Sequence, residues 1–420
     1  MKIQITPSTV EGQVGAPPSK SYTHRALVCS ALAYGESKII SPLQSDDTEA
    51  TMDLLKKIGV EIHVKENSWE VSGGQLHQPE GDLFCKESGT TMRFMTAICS
   101  LVNGTCKLTG GSSLSKRPMK PLIDGLKQLG VECTSERGFP PVTVKGGLVG
   151  GQTRIPGDIS SQFISALLLI APLATEDVNL ILTTPLESKP YVLMTKDAQR
   201  KFGVEIEASE DLREFWIKKQ SYKSATYKIE GDWSSSAFLL AAGVVAGKIE
   251  IQNLNEGSLQ ADREIVNALK KMGAKLISKN DNITIMKSEL EPLVFDVSDC
   301  PDLFPILTVL CSIAKGESRL TGINRLRIKE SDRIAAMKDG LMKMNVDVGE
   351  EGNSFIIKNS NPVGAIIDPK NDHRIAMAFA VLSLVAKGET IIQDAECVSK
   401  SFPDFWGVMK HLGMNFEEIT

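Results

Sequence analysis

Leu54-Leu55-Lys56-Lys57-Ile58-Gly59-Val60-Glu61-Ile62 reads as a helix that ends on a glycine and passes into a strand. A helix commonly closes with a left-handed residue, which favours Gly or Asn, and β-branched residues after the cap suit a strand. The same order returns at Leu126 to Glu132, Ala198 to Ile206, Ala268 to Leu276, Gly340 to Val348 (with Asn345 in place of Gly) and Val408 to Phe416. The capping positions are 59, 130, 203, 273, 345 and 413, separated by 71, 73, 70, 72 and 68 residues.

A second pattern alternates with the first. Small-residue helices followed by a Gly-containing turn run from Arg25 to Gly35, Thr91 to Gly104, Gln162 to Ala174, Ser235 to Gly247, Phe304 to Gly316 and His373 to Gly388. Two share an opening, Ile155-Pro156-Gly157-Asp158-Ile159-Ser160-Ser161 and Ile229-Glu230-Gly231-Asp232-Trp233-Ser234-Ser235. The chain therefore predicts an α/β protein with six copies of one unit. A unit of this size has too little apolar surface for its own core, so units must share one, and three plus three gives two domains. Ser221 to Lys228, the most polar connection, is the expected hinge.

Composition narrows the function. The 420 residues are 42% hydrophobic and 24% charged, with net charge −5. With a pI near 5.7, nucleic acid and anionic membranes are disfavoured as partners. The longest apolar run, Phe163 to Ala174, is too short to span a bilayer. The first twenty residues lack a signal-peptide core. Eight cysteines without a CxxC pair read as buried free thiols in a reducing compartment. A cytoplasmic location is expected. The five histidines show no ligand spacing, so no metal is expected.

The chemistry-bearing stretches sit at the helix starts. Arg325-Leu326-Arg327-Ile328-Lys329-Glu330-Ser331-Asp332-Arg333 lies between a strand-like run and an amphipathic helix, and Ser331 or Asp332 suits its N-cap. Ala16-Pro17-Pro18-Ser19-Lys20-Ser21 resembles a phosphate loop only superficially. It lacks the Gly before Lys20, and two prolines remove N–H donors. Lys20, Ser21 and Arg25 still suit an anion. Glu87-Ser88-Gly89-Thr90-Thr91-Met92-Arg93 and Ser160-Ser161-Gln162 open two further helices, where free N–H groups favour anions. Arg117 and Lys400 lie on loops, and Arg374 stands at another helix start. If the helix starts of the two domains face one cleft, these cations converge on a polyanion.

In order, Pro18-Ser19-Lys20-Ser21 with Arg25, Ser88-Gly89-Thr90 with Met92-Arg93, Arg117-Pro118, Ser160-Ser161-Gln162 and Ser188-Lys189-Pro190-Tyr191 match one known pattern. Pro301-Asp302, Lys329-Glu330-Ser331-Asp332-Arg333, Asn371-Asp372-His373-Arg374 and Lys400-Ser401-Phe402-Pro403-Asp404 complete it. Over its whole length the chain resembles the 5-enolpyruvylshikimate-3-phosphate synthase family of shikimate-pathway transferases. That resemblance implies two domains of three βαβαββ units each, an inside-out α/β barrel. It also implies domains of residues 14–228 and of 1–13 with 229–420, and an active site in the cleft between them. The implied reaction moves the enolpyruvyl group of phosphoenolpyruvate to the 5-hydroxyl of shikimate 3-phosphate and releases phosphate, on the way to chorismate and the aromatic amino acids.

By the same resemblance Lys20, Ser21, Arg25, Ser160, Ser161, Gln162, Ser188, Asp302 and Lys329 hold shikimate 3-phosphate. Lys20, Gly89, Arg117, Gln162, Arg333, Arg374 and Lys400 hold phosphoenolpyruvate. Asp302 and Glu330 are the acid/base pair, with Lys20 beside them. No cofactor is implied, and a monomer is expected. The chain departs from the family's frequent Asn at Glu87 and Arg325. The rival within the wider family is the UDP-N-acetylglucosamine enolpyruvyl transferase, which typically presents a Cys in a mobile loop; Gly110 to Pro118 contains none.

The implied reaction breaks a C–O bond, so no transferred phosphoryl group needs a metal. A carbon-bound proton is given and later taken back, which requires a positioned acid/base group. The cations orient two polyanions and screen their repulsion.

Overall fold

All six predicted caps adopt the left-handed conformation that ends a helix: Gly59 (φ +104°), Gly130 (+89°), Gly203 (+77°), Gly273 (+78°), Asn345 (+62°) and Gly413 (+103°). The structure is a computed structural model and describes residues 1–419. Its strands form six four-stranded sheets with one shared plan. In one, Gly35–Ile40 lies parallel to Thr226–Lys228 on one side and antiparallel to Ser68–Gly73 on the other, with Glu61–Lys65 at the edge. The strands Gly151–Ile155, Val178–Leu182, Glu214–Ile217 and Glu207–Ala208 repeat that arrangement.

The chain divides into two units, one of residues 18–229, the other of Met1–Pro17 with the chain from Glu230 onward. Each holds three of the sheets and six α-helices. Within each unit three helices are the most deeply buried: Lys20–Leu32, Gly89–Ile98 and Ser161–Ile170 in the first, Trp233–Ala246, Phe304–Ile313 and His373–Ser383 in the second. All fourteen residues of Trp233–Ala246 are buried. A helix apolar on every side belongs inside, and its small residues let neighbours come close: a Cβ on Gly243 would lie 2.5 Å from Ile285 Cγ2. The sheets lie outside these helices, and strands such as Val178–Leu182 and Asn282–Met286 alternate buried with less buried side chains.

The crossings between units fall at Pro17/Pro18 and Ile229/Glu230. The first lies four residues beyond the expected boundary after Gln13. Val10–Gly15 pairs along its whole length with Gly247–Gln252, which binds the segment to the second unit through Gly15. The expected hinge, Ser221 to Lys228, belongs to the first unit, where Thr226–Lys228 is committed to the sheet of Gly35–Ile40. All eight cysteines are buried and free of disulfides, as the spacing predicts.

Candidate active site

In the unit of residues 18–229, four helix starts are wired together. Ser19 caps the helix that begins at Lys20, and Lys20 Nζ lies 3.0 Å from Asp47 Oδ2 at the start of the helix Asp46–Lys57. Ser88 caps the helix Gly89–Ile98, and Ser160 caps Ser161–Ile170. Gln162 Nε2 donates to Thr90 Oγ1 at 3.0 Å, tying those two starts. A buried chain runs beneath them: His24 Nδ1 to Thr51 Oγ1 (2.9 Å), Thr51 to Thr91 (2.7 Å), and Thr91 to Ser88 Oγ (2.7 Å). Burial first, then Lys20 and Arg25, hold the His24 imidazole well below its usual pKa, so it serves this chain as a neutral ring.

Arg25 is 3% exposed, and its partners are neutral. Nε donates to Thr195 Oγ1 (2.8 Å), Nη1 to the Ser21 carbonyl (2.8 Å) and Nη2 to the Tyr191 carbonyl (2.9 Å), with the guanidinium over the Phe94 ring. Burial lowers its pKa to about 10. A guanidinium has five N–H groups, so two are left for a ligand. Gly89 has neighbours that explain it: a Cβ there would lie 2.3 Å from Arg93 Nη1 and 2.6 Å from Arg117 Nη1. Arg93 lies over the Phe163 ring. Ser188 is buried, with a left-handed backbone (φ +56°), at the start of the helix Lys189–Lys201.

In the other unit the cations come with carboxylates. Arg333, 1% exposed, bonds three: Asp302 through Nη1 (2.6 Å), Glu330 through Nη2 (2.8 Å) and Asp372 through Nε (2.9 Å). Arg374 Nη2 reaches the second oxygen of Asp302 at 3.0 Å. Asp372 also caps the helix His373–Ser383 by accepting from the Arg374 amide (3.0 Å), and it accepts from Ser331 Oγ (3.1 Å). Asp332 is the cap of Arg333–Lys343, accepting from the Ala335 amide; this settles the choice left open between Ser331 and Asp332. Lys400 Nζ donates to the Asn371 carbonyl at 2.5 Å, beside the same helix start. Arg325 Nη2 donates to the Ser298 carbonyl at 2.6 Å, an anchor for the loop.

The electrostatics of this cluster follow from its packing. Burial alone would raise the Asp302 carboxyl, but Arg374, Arg333 and Lys329 outweigh it and hold it far below the ordinary carboxylate range. Burial opposes the Arg333 charge, and Asp372, Glu330 and Asp302 more than restore it. Lys329 is lowered to about 8, by burial first and then by Arg333 and Arg325, against the pull of Asp302. Asp262, 3% exposed, is pushed up to about 7 by burial and by Asp302, against Arg374.

The predicted residues thus divide between the units. Lys20, Ser21, Arg25, Gly89, Arg117, Ser160, Ser161, Gln162 and Ser188 belong to the first, and Asp302, Lys329, Glu330, Arg333, Arg374 and Lys400 to the second. Asp302, Glu330, Arg333 and Arg374 form one chain of contacts: Arg333 bonds Glu330 and Asp302, and Asp302 bonds Arg374. Sequence reasoning missed Asp47, Asp372 and Asp262. Asp372 reads from sequence only as a cap, and only the fold brings Arg333 to it across 39 residues. Asp47 follows the helix-capping Ser45 with no sign that it faces Lys20.

A profile of the family described as EPSP synthase (3-phosphoshikimate 1-carboxyvinyltransferase) matches residues 5–409. The 3-phosphoshikimate 1-carboxyvinyltransferase of Dehalococcoides mccartyi is 43% identical over 415 residues, covering 98% of each chain. The protein of the same name from Methanocaldococcus jannaschii is 42% identical over 418 residues, covering 97% of each. Among solved structures, an EPSP synthase from Acinetobacter baumannii superposes with a TM-score of 0.84 at 28% identity over 99% of both chains. The chain belongs to the EPSP synthase (3-phosphoshikimate 1-carboxyvinyltransferase) family.

Proposed function

We infer that this protein transfers the enolpyruvyl group of phosphoenolpyruvate to the 5-hydroxyl of shikimate 3-phosphate, giving 5-enolpyruvylshikimate 3-phosphate and phosphate. Beyond family membership, the observation that carries this reading is the cluster in which Arg333 joins Asp302 and Glu330. It offers one reaction two carboxyl groups of different surroundings. Asp302, kept ionised by three cations, is suited to accept a hydrogen bond from the attacking hydroxyl. Glu330 contacts one of those cations, Arg333, and gives a proton to the phosphoenolpyruvate methylene, then takes it back as phosphate leaves. Both carboxylates are held by the same guanidinium, so their separation is fixed before substrate arrives.

In this reading Lys20, Ser21, Arg25, Ser160, Ser161, Gln162, Ser188 and Lys329 hold shikimate 3-phosphate. Lys20, Gly89, Arg117, Gln162, Arg333, Arg374 and Lys400 hold phosphoenolpyruvate. Gln162 serves both through the Thr90 contact that fixes its amide. One chain supplies every group named, which suits the reading of a monomer, taken here to work in the cytoplasm. No helix among the described residues is long and apolar enough to cross a membrane.

The related reaction on UDP-N-acetylglucosamine is not favoured, since the family and the relatives are of the shikimate type. Phosphate release from phosphoenolpyruvate, measured with each acceptor in turn, tests the assignment. Release that depends on shikimate 3-phosphate alone is expected. Release with UDP-N-acetylglucosamine, or with neither acceptor, would overturn it.

A further inference from the structure

Glu87 stands two residues before the helix Gly89–Ile98, half-buried, and none of the roles above uses it. Its carboxylate faces backbone. Oε2 accepts from the Leu114 amide at 2.8 Å and Oε1 from the Ser113 amide at 3.4 Å. These two amides open the short turn Leu114–Lys116, which leads directly into Arg117. Gly111 lies under the same carboxylate so closely that a Cβ there would be 2.1 Å from Oε1.

The loop is tied down elsewhere as well. The Gly111 amide donates to the Lys86 carbonyl at 2.7 Å, and the Arg117 amide to Leu114 at 3.0 Å. Ser115 Oγ donates to the Gly110 and Gly111 carbonyls at 3.1 and 2.8 Å. Glu87 brings a formal charge to these backbone contacts, and hydrogen bonds to a carboxylate are about twice as strong as neutral ones. At the far end of the loop, the Arg117 guanidinium comes to rest against Gly89, two residues from Glu87. Glu87 and Gly89 therefore hold the loop at its start and at its finish.

We propose that Glu87 is a positioning residue for Arg117: its carboxylate clamps the loop Gly110 to Arg117 so that the guanidinium meets phosphoenolpyruvate at the start of the helix Gly89–Ile98. Glu87 itself touches no substrate. The proposal rests on the assigned reaction for its kinetic reading, while the clamp itself is measurable without turnover.

Two variants and two readouts test it. Glu87→Ala removes both acceptors, while Glu87→Gln keeps one amide oxygen in place. In Glu87→Ala the KM for phosphoenolpyruvate rises about tenfold, the loss expected when a charge-assisted contact fails. The KM for shikimate 3-phosphate and the melting temperature stay at their wild-type values. Glu87→Gln falls between the two. Amide hydrogen exchange, followed in the substrate-free enzyme, speeds up at Ser113 and Leu114 in Glu87→Ala and to a lesser degree in Glu87→Gln. An unchanged KM for phosphoenolpyruvate, an equal rise in both KM values, or unchanged exchange at Leu114 would each overturn the proposal. Should the wild-type enzyme fail to turn over these substrates, the assigned reaction falls, and the exchange comparison still decides whether the clamp exists.

Discussion

The unit of residues 18–229 and the unit from Glu230 onward are built on one plan, yet their most buried arginines find different partners. In the first, Arg25 is held by a hydroxyl, two carbonyls and an aromatic face, and Arg93 lies over an aromatic ring. In the second, one guanidinium gathers three carboxylates and another shares one of them. Neutral partners satisfy N–H groups while leaving positive charge for a ligand. Carboxylates cancel the charge but supply groups that can carry protons. The Arg25 guanidinium thus keeps its full charge, while the Arg333 guanidinium is already matched by carboxylates.

The sharpest way to break this contrast is to make one substitution in both units. Arg333→Met leaves three carboxylates together in a buried site, and losing one partner from such a cluster costs at least about 3 kcal/mol. Arg25→Met leaves neutral acceptors behind and costs about 1–3 kcal/mol. Urea denaturation of the two variants measures the difference, and equal losses would erase the distinction. Next in size is the chemistry. Glu330→Gln and Asp302→Asn should lower kcat by about 10²–10⁴-fold, the range of general acid–base groups, and phosphate release under saturating substrate measures it.

Smaller effects sharpen the picture on each side. Gly89→Ala drives a methyl group into Arg93 and Arg117. The KM for phosphoenolpyruvate should rise about tenfold, matching an overpacking cost of a little over 1 kcal/mol. On the other side, Lys329 carries its charge below about pH 8 and loses it above. The kcat/KM for shikimate 3-phosphate should therefore fall as pH rises through that value, since this ratio reports the free enzyme. Lys329→Arg should move the falling limb upward, because a guanidinium stays charged there. A limb that stays in place would assign it to another group.

Much of this architecture is legible in the sequence. The six caps are local decisions, made by glycine or asparagine tolerating positive φ, and their spacing counts the repeats without knowledge of any contact. The buried helices were legible for a similar reason, since small apolar residues on all sides leave no face for water. The boundary near Pro17 was harder. Val10–Gly15 joins a strand more than 230 residues away, and nothing within the segment announces that partner. The site shows the same division. Lys20, Arg333 and Arg374 stand out by charge and position at helix starts. Asp47, Asp372 and Glu87 look like ordinary turn and cap residues until the fold brings a cation or a loop to them.

The most direct measurement follows the bridging oxygen of phosphoenolpyruvate. With that atom labelled as ¹⁸O and shikimate 3-phosphate as acceptor, the account has Asp302 and Glu330 serving addition and elimination at carbon, so the label leaves in the released phosphate. Retention of the label in the organic product would mean that the P–O bond is the one broken, and the roles assigned to both carboxylates would be wrong.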